Sequence, residues 1–356
     1  MVHVWMRAES RPNEERAGLT PEGAQALLER GFRVTIEESP ARAIPIEGYR
    51  EAGCEIAPAH SWPDAPRDAI ILGLKELPDD GSPLIHRHIM FGHAYKGQPA
   101  GQVLLKRFIE GGGTLYDLEY LTDEAGRRVA AFGYWAGFAG AAVSLMAWAA
   151  QQRGATCPPV RSYPGKDALL AELADTLDAA STSRPDALII GALGRVGTGT
   201  ADLCAAMNVP TTRWDMAETA HGGPFPEVLA HALFFNCILA RPGTPVFVPE
   251  SAKEAPRKLT VIGDIACDPE SDFSPVKVYD RATTWQEPVV RVHDRPPLDV
   301  MAIDNLPSML PLESSLDFAA QLLPSLLALD AIDEGIWARA KAEFERHANP
   351  LKGDQP

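Results

Sequence analysis

Basic residues are scarce in this 356-residue chain, 33 Lys and Arg against 48 Asp and Glu, for a net charge of −15. That imbalance argues against phosphate-backbone binding as the main activity, since such binding rests on cations that neutralise phosphates. Cysteine is also sparse: Cys54, Cys157, Cys204, Cys237 and Cys267 form no CxxC pair and are odd in number. This fits a reducing compartment better than a disulfide scaffold. None of the five sits beside an evident histidine partner, so a nucleophilic thiol is not expected. His86, His88 and His93 crowd together, but no carboxylate or cysteine cluster completes a metal site, and none is expected. The opening MVHVWMRAES is too polar for a secretory signal, which points to a cytoplasmic protein. No low-complexity tract or internal repeat is present.

Long apolar runs are missing with one exception. The stretch VAAFGYWAGFAGAAVSLMAWAA, residues 129–150, carries no charge and is long enough to cross a bilayer. Alanine and glycine dominate it, and Arg127 and Arg128 before it are matched by Arg153 after it, so no positive-inside asymmetry marks a span. Gly133, Gly137 and Gly140 suggest instead a buried helix closely approached by another backbone, at a domain or subunit interface.

The length exceeds the roughly 250–300 residues at which a single core stops growing, so two domains are expected. Short apolar runs alternate with helical stretches, the pattern of parallel βαβ units. VHVWMRA (2–8) and FRVTIEES (32–39) read as strands around a helix in TPEGAQALLERG (20–31), with Thr20 as cap, Pro21 at the first position and Gly31 closing it. DAIILGLKE (68–76), HIMFGHAYK (88–96) and TLYDLEYL (114–121) are further strands. After the apolar segment the pattern restarts in DALIIGALGRVGTGTADLCAAMN (186–208), with later strands in TTRWDM, ALFFNCIL, KLTVIGDIA and LDVMAIDNLP. The C-terminal helices have no strand partners and should pack back on the first domain. The fold expected is α/β, with two Rossmann-like doubly wound domains, parallel sheets and the active site in the interdomain cleft. The first domain is discontinuous (1–131 plus 313–356, substrate and catalysis) and the second (132–312) binds the nucleotide.

ALIIGALGRVGTG (187–199) is an apolar strand that breaks into glycines and opens a helix, the setting a dinucleotide turn requires. Its spacing from Gly191 is GxxGxxG, through Gly194 and Gly197, where GxGxxG is usual. Asp215 ends the next strand about 20 residues on, where a carboxylate accepts ribose hydroxyls and repels a 2′-phosphate, so NAD is favoured over NADP. Arg213 is suited to neutralising that acid or to pairing with a 2′-phosphate. Arg195, inside the turn, is suited to covering a pyrophosphate.

GLKE (73–76) and GHAYK (92–96) both lie where strands end, the place where ligands bind in open α/β sheets. If those strands are neighbours, Lys75 and His93 converge, and lysine with histidine is a pair suited to proton transfer near neutral pH.

Taken together, EERAGLTPEGAQALLERGF, IILGLKELP, HIMFGHAYKGQ, GTLYDLEYLTDEAGRRVAAFGYWAGFAGAA, GALGRVGTG, WDMAETAHGGPF, FFNCI and IDNLPSMLPLESS resemble the NAD-dependent, lysine-forming saccharopine dehydrogenases over residues 7–347. Alanine dehydrogenase and the transhydrogenase NAD domain share the wider plan. The resemblance implies that saccharopine, NAD and water give lysine, 2-oxoglutarate and NADH, reversibly. Lys75 would take the proton of the secondary amine, and His93 would activate water on the imine. Glu76 and Glu119 would tune the pair. Saccharopine carries three carboxylates, for which Arg16 and Arg128 would supply bidentate contacts, with Lys96 and Arg11 as weaker candidates. Gly191, Gly194, Arg195, Val196, Gly197, Asp215 and Asp304 would hold NAD.

Three departures stand out. The fungal enzymes carry cysteine where this chain has Val196, which Cys237 could otherwise partner, histidine at Asn305 and arginine at Leu312. The lost cation leaves the exact substrate open, though not the NAD-linked amine chemistry. A related opine or amino-acid dehydrogenase is the alternative enzyme, and a catalytically silent NAD-binding regulator the alternative of another class. Partners are expected to be small molecules, with neither nucleic acid nor membrane, for a monomer or small homo-oligomer.

Overall fold

The computed structural model describes residues 1–181, 183–269 and 271–352, and they form two compact units, 1–131 with the segment from 311 onward, and 132–310. The first unit opens with β1 (His3–Met6), α1 (Pro21–Glu29), β2 (Arg33–Glu37), α2 (Ile46–Glu51) and β3 (Glu55–Ala57). It continues with β4 (Ile70–Leu72), β5 (Arg87–Met90), α3 (Pro99–Gly111) and β6 (Thr114–Asp117). The α1 boundaries follow from their residues. Thr20 Oγ1 accepts from Gly23 N at 3.1 Å, Pro21 fills a position that needs no donor, and Gly31 at φ +86° releases the chain.

The strand order is β3-β2-β1-β4-β5-β6, all parallel. Neighbours run one way from β1 to β3 and the other way from β4 to β6, so the order reverses between β1 and β4. A crevice at such a reversal is where open α/β sheets take their ligands.

The second unit starts with α4 (Gly133–Gln152), the long apolar stretch, followed by α5 (Lys166–Ala180), β7 (Ala187–Ile190) and α6 (Arg195–Ala206). Then come β8 (Thr211–Trp214), α7 (Met216–Thr219), α8 (Pro226–Ala230), β9 (Leu233–Asn236), β10 (Val261–Asp264), β11 (Val290–Asp294) and β12 (Pro297–Met301). The sheet order is β11-β12-β10-β9-β7-β8. One strand departs from the all-parallel expectation: β11 pairs antiparallel with β12 because only a tight turn joins them. Successive side chains of β9 face opposite ways, so Phe234 and Phe235, both fully buried, enter apolar clusters on the two faces of the sheet. Burial of a side chain of that size stabilises by about 1.5–3 kcal/mol.

Among the described residues no helix is long and apolar enough to cross a membrane. The small residues of α4 serve packing against α6. A Cβ on Gly137 would overlap Val196 O, and one on Gly199 would overlap Tyr134 O. Gly140 faces the side chains of Ile265 and Leu306. The close approach expected for this helix is therefore present, but it lies within the second unit's own core rather than at a domain or subunit interface.

The chain returns to the first unit with α9 (Pro311–Leu326) and α10 (Gly335–Lys352). Trp337, Ala340, Phe344 and Ala348 form the buried stripe of α10, with Trp337 edge-on to Tyr116 of β6 and Phe344 edge-on to Phe108 of α3.

Candidate active site

At the carboxyl end of β1, Arg7 is almost fully buried and sets Nη1 3.2 Å from Glu9 Oε2. Glu9 in turn accepts from Leu74 N at 2.7 Å and from Lys75 N at 3.0 Å. Arg7 Nη2 donates to Lys75 O. Because β4 pairs with β1, the exit of β4 passes directly beside these groups, and Gly73 lets it do so: a Cβ there would overlap Arg7 Nε. Burial pushes the Glu9 carboxyl up, against Arg7 and the two amide donors, which favour its charge. A recess at the exits of β1, β2 and β4 is lined by Arg7, Glu9, Glu14, Arg16, Arg42 and Gly73. Within it Arg16 grips Glu14 through Nε at 2.7 Å and Nη2 at 2.6 Å, both side chains buried. Arg16 and, more weakly, Lys75 hold the Glu14 carboxyl below its usual range against the opposing effect of burial.

β5 lies next to β4, so the condition set for Lys75 and His93 is met: their loops leave adjacent strands. His93 has a left-handed backbone, φ +49°, a conformation costly for a residue with a Cβ and often found at functional sites. Its ring stacks on Phe91 and brings Nδ1 3.4 Å from Glu119 Oε2. Glu119 Oε1 is 3.0 Å from Lys96 Nζ and 3.4 Å from Arg128 Nη2. One carboxylate thus faces three cationic or protonatable groups. His93, then Lys96 and Arg128, hold its pKa at about 2, although burial works the other way. Beneath it, Asp117 ends β6 fully buried and accepts from Gly92 N at 3.2 Å and Glu119 N at 2.9 Å. Burial lifts the Asp117 pKa to about 6, the two amides and His93 opposing it.

Every cation expected to meet substrate is already matched by an acid: Arg16 by Glu14, Lys96 and Arg128 by Glu119, and Arg11 by Glu76 at 3.5 Å. Glu76, expected to tune Lys75 and His93, is more than half exposed and faces Arg11. His86 and His88 belong to the core, ring against ring with Trp62 and, for His88, Phe108. Burial raises the thiols, Cys54 to about 11 and Cys157, Cys204, Cys237 and Cys267 to about 12, so none is an activated nucleophile.

In the second unit the strand order reverses at β7, whose exit carries the glycines. Gly191 adopts φ +87°. A Cβ on Gly197 would overlap Gly191 O, so this glycine lets the turn lie against its own helix. Gly194 is different. A Cβ there would meet nothing closer than 3.5 Å, so packing does not demand glycine, yet it stands at the N-cap of α6. Access to the backbone at a helix N-terminus is what a pyrophosphate requires. Asp215 follows β8 and accepts from Leu193 N at 3.0 Å and Met216 N at 2.9 Å, which ties the glycine turn to the next strand. Leu193 and Met216 flank it and are both more than four-fifths exposed. Two apolar side chains bare beside an acid and a helix N-terminus are suited to a ligand with an apolar ring. Arg195 and Arg213 are exposed, and Val196 is half-buried. Asp304 is exposed, and the neighbouring Asn305 accepts from Trp285 Nε1 at 3.0 Å.

Sequence reasoning passed over Arg7, Glu9, Glu14 and Asp117. It also passed over Asp264, which ends β10 fully buried, takes bonds from Asn236 Nδ2 and the Tyr279 hydroxyl at 2.8 Å each, and is raised by burial to about 6.

These two sheets and their connections have the fold of alanine dehydrogenase. Residues 5–139 match the family described as alanine dehydrogenase/PNT, N-terminal domain. A solved L-alanine dehydrogenase shares the fold at a TM-score of 0.68 and 17% identity, over 98% of this chain and 100% of that one. Similarity over the whole length is narrower in kind. The saccharopine dehydrogenase [NAD(+), L-lysine-forming] of Schizosaccharomyces pombe is 44% identical over 98% of this chain and 99% of its own. That of Candida glabrata is 44% identical over 98% and 97%. The chain belongs to the family of NAD-dependent, L-lysine-forming saccharopine dehydrogenases.

Proposed function

We propose that this protein interconverts saccharopine, NAD and water with lysine, 2-oxoglutarate and NADH. The observation that carries the reading is the grouping at the carboxyl end of the first sheet. Lys75 leaves β4 beside the Arg7–Glu9 pair, and His93 leaves the adjacent β5 with Nδ1 3.4 Å from Glu119 Oε2. Full-length kinship with enzymes named for this reaction supports it.

The glycine turn fits NAD. Gly191, Gly194 and Gly197 would admit the pyrophosphate, with Arg195 and Val196 at the helix start and Asp215 toward the ribose. NAD held there would supply a hydride acceptor for oxidation of the glutamyl α-carbon of saccharopine. Lys75 Nζ takes the proton of the secondary amine as that carbon is oxidised. Glu119, at Nδ1 of His93, orients the ring so that Nε2 draws a proton from the water that attacks the imine carbon. The same nitrogen returns a proton to the departing lysine amine. Arg16, Arg128, Lys96 and Arg11 meet the three substrate carboxylates. Each already has an acid partner, so its position is set before substrate arrives and less entropy is lost on binding. Five free thiols suit a reducing compartment such as the cytoplasm.

Lys75→Met and His93→Gln should each lower turnover by roughly 10²- to 10⁴-fold, the range for general acid–base groups. NADH affinity by fluorescence titration should be unchanged. Near-normal turnover in both variants would reduce these residues to shaping the loops.

A further inference from the structure

Lys75 sits on a four-carbon stem, and a proton acceptor of that kind works only if the root of the stem is fixed. Both peptide groups at this root are held. The Lys75 N–H donates to Glu9 Oε2 at 3.0 Å, and the Lys75 carbonyl accepts from Arg7 Nη2. The preceding amide, Leu74 N, donates to the other Glu9 oxygen at 2.7 Å. Arg7 and Glu9 face each other at 3.2 Å, with side chains 1% and 7% exposed. Arg7 Nη1 also donates to Ala8 O at 3.2 Å, in the segment that leaves β1. The arrangement depends on Gly73, where any Cβ would overlap Arg7 Nε.

A buried ion pair is a weak source of stability, because desolvation offsets much of the Coulomb attraction, and its better-attested use is to fix a geometry. Here the geometry fixed is that of three consecutive residues, Gly73 to Lys75. We propose that Arg7 and Glu9 are positioning residues that clamp the backbone of Lys75 at the exit of β4 and so set the direction from which its amine meets substrate. The proposal rests on Lys75 being the proton acceptor assigned above.

Glu9→Gln keeps the side-chain volume but leaves a single acceptor for two amides and removes the counter-charge of Arg7. Misplacing a catalytic group by about 1 Å costs on the order of a hundredfold in rate, so kcat should fall roughly ten- to a hundredfold with NADH affinity unchanged. The same substitution made in Lys75→Met should change the residual rate less than about twofold, since a clamp with nothing to position is silent. Rescue of Lys75→Met by a small primary amine should likewise be equal with and without Glu9→Gln. Hydrogen exchange reads the clamp without reference to activity: the Leu74 and Lys75 amides should exchange more than tenfold faster in Glu9→Gln. If the unpaired Arg7 prevents folding, judged by circular dichroism, Arg7→Met/Glu9→Gln removes both charges and should show the same loss. A wild-type kcat in these variants, or an equal loss in the Lys75→Met background, overturns the proposal. So does unchanged exchange at both amides. Full activity of Lys75→Met with accelerated exchange in Glu9→Gln would instead retain the clamp and refute the role given to Lys75.

Discussion

Replacing Glu119 by glutamine removes one negative charge from among three cationic or protonatable groups while leaving the shape of the side chain. The carboxylate lies 3.4 Å from His93 Nδ1, 3.0 Å from Lys96 Nζ and 3.4 Å from Arg128 Nη2, and its pKa falls from an ordinary 4.5 to about 2. At about 1.4 kcal/mol per tenfold change in proton affinity, that fall is equivalent to about 3 kcal/mol of native-state stability. His93 and Lys96 are 43% and 55% exposed. Water screens such contacts, so the loss expected on substitution is nearer about 1–2 kcal/mol. A carboxylate with a depressed pKa stabilises fully above its unfolded value of 4.5, and the contribution fades as pH falls toward 2. Urea denaturation should therefore show Glu119→Gln less stable than wild type at pH 7, with the gap narrowing between pH 5 and pH 3. If the carboxylate 3.4 Å from Nδ1 orients the imidazole as proposed, turnover should drop by about tenfold or more. A stability gap independent of pH would mean that Glu119 acts through packing and not through charge, and full turnover would remove it from the proton-transfer machinery.

Asp215→Ala should weaken NAD use and improve NADP use relative to it, because the carboxylate that would receive the ribose hydroxyls and repel a 2′-phosphate is gone. An unchanged ratio of kcat/KM for the two nucleotides would show that Asp215 serves only the turn it ties through Leu193. His88 is fully buried, neither ring nitrogen has a hydrogen-bond partner among the described residues, and burial holds its pKa well below 6.5. It stays neutral in the fold while the unfolded chain takes up a proton below pH 6.5, so its contribution to stability declines as pH falls through that value. His88→Leu should be neutral or stabilising by about 1 kcal/mol near pH 7, with a Tm advantage that grows between pH 6.5 and 5. A variant less stable than wild type at both pH values would contradict this.

The strands themselves were largely legible because parallel strands buried on both faces read as short apolar runs ended by glycine or charge, whereas their order in each sheet came only with the structure. Thr20, Pro21 and Gly31 marked α1 for the same kind of local reason. Two strands escaped. β3 is only three residues long, and β11 is a half-buried edge strand without an apolar run. The long helix was readable as buried, but not what it packs on, since the partner of Gly137 is the backbone at Val196, some sixty residues away. Lys75 and His93 announced themselves by standing after strands. Arg7, Asp117 and Asp264 stand at strand ends too, yet a single ionisable residue there does not show whether it faces solvent or closes a buried network. Their roles depend on amides brought close by strand order, such as Gly92 over Asp117. The pairing of Lys96 and Arg128 with Glu119 and of Arg11 with Glu76 was equally hidden, because sequence spacing says nothing of which charges meet across loops.

NADH oxidation with paired substrates tests the central claim most directly. Lysine with 2-oxoglutarate should drive NADH oxidation, neither compound should do so alone, and the product should be saccharopine by mass. Pyruvate with ammonia should give no oxidation above background. Oxidation with pyruvate and ammonia, but none with lysine and 2-oxoglutarate, would contradict the account and place the chain's activity with that of an alanine dehydrogenase.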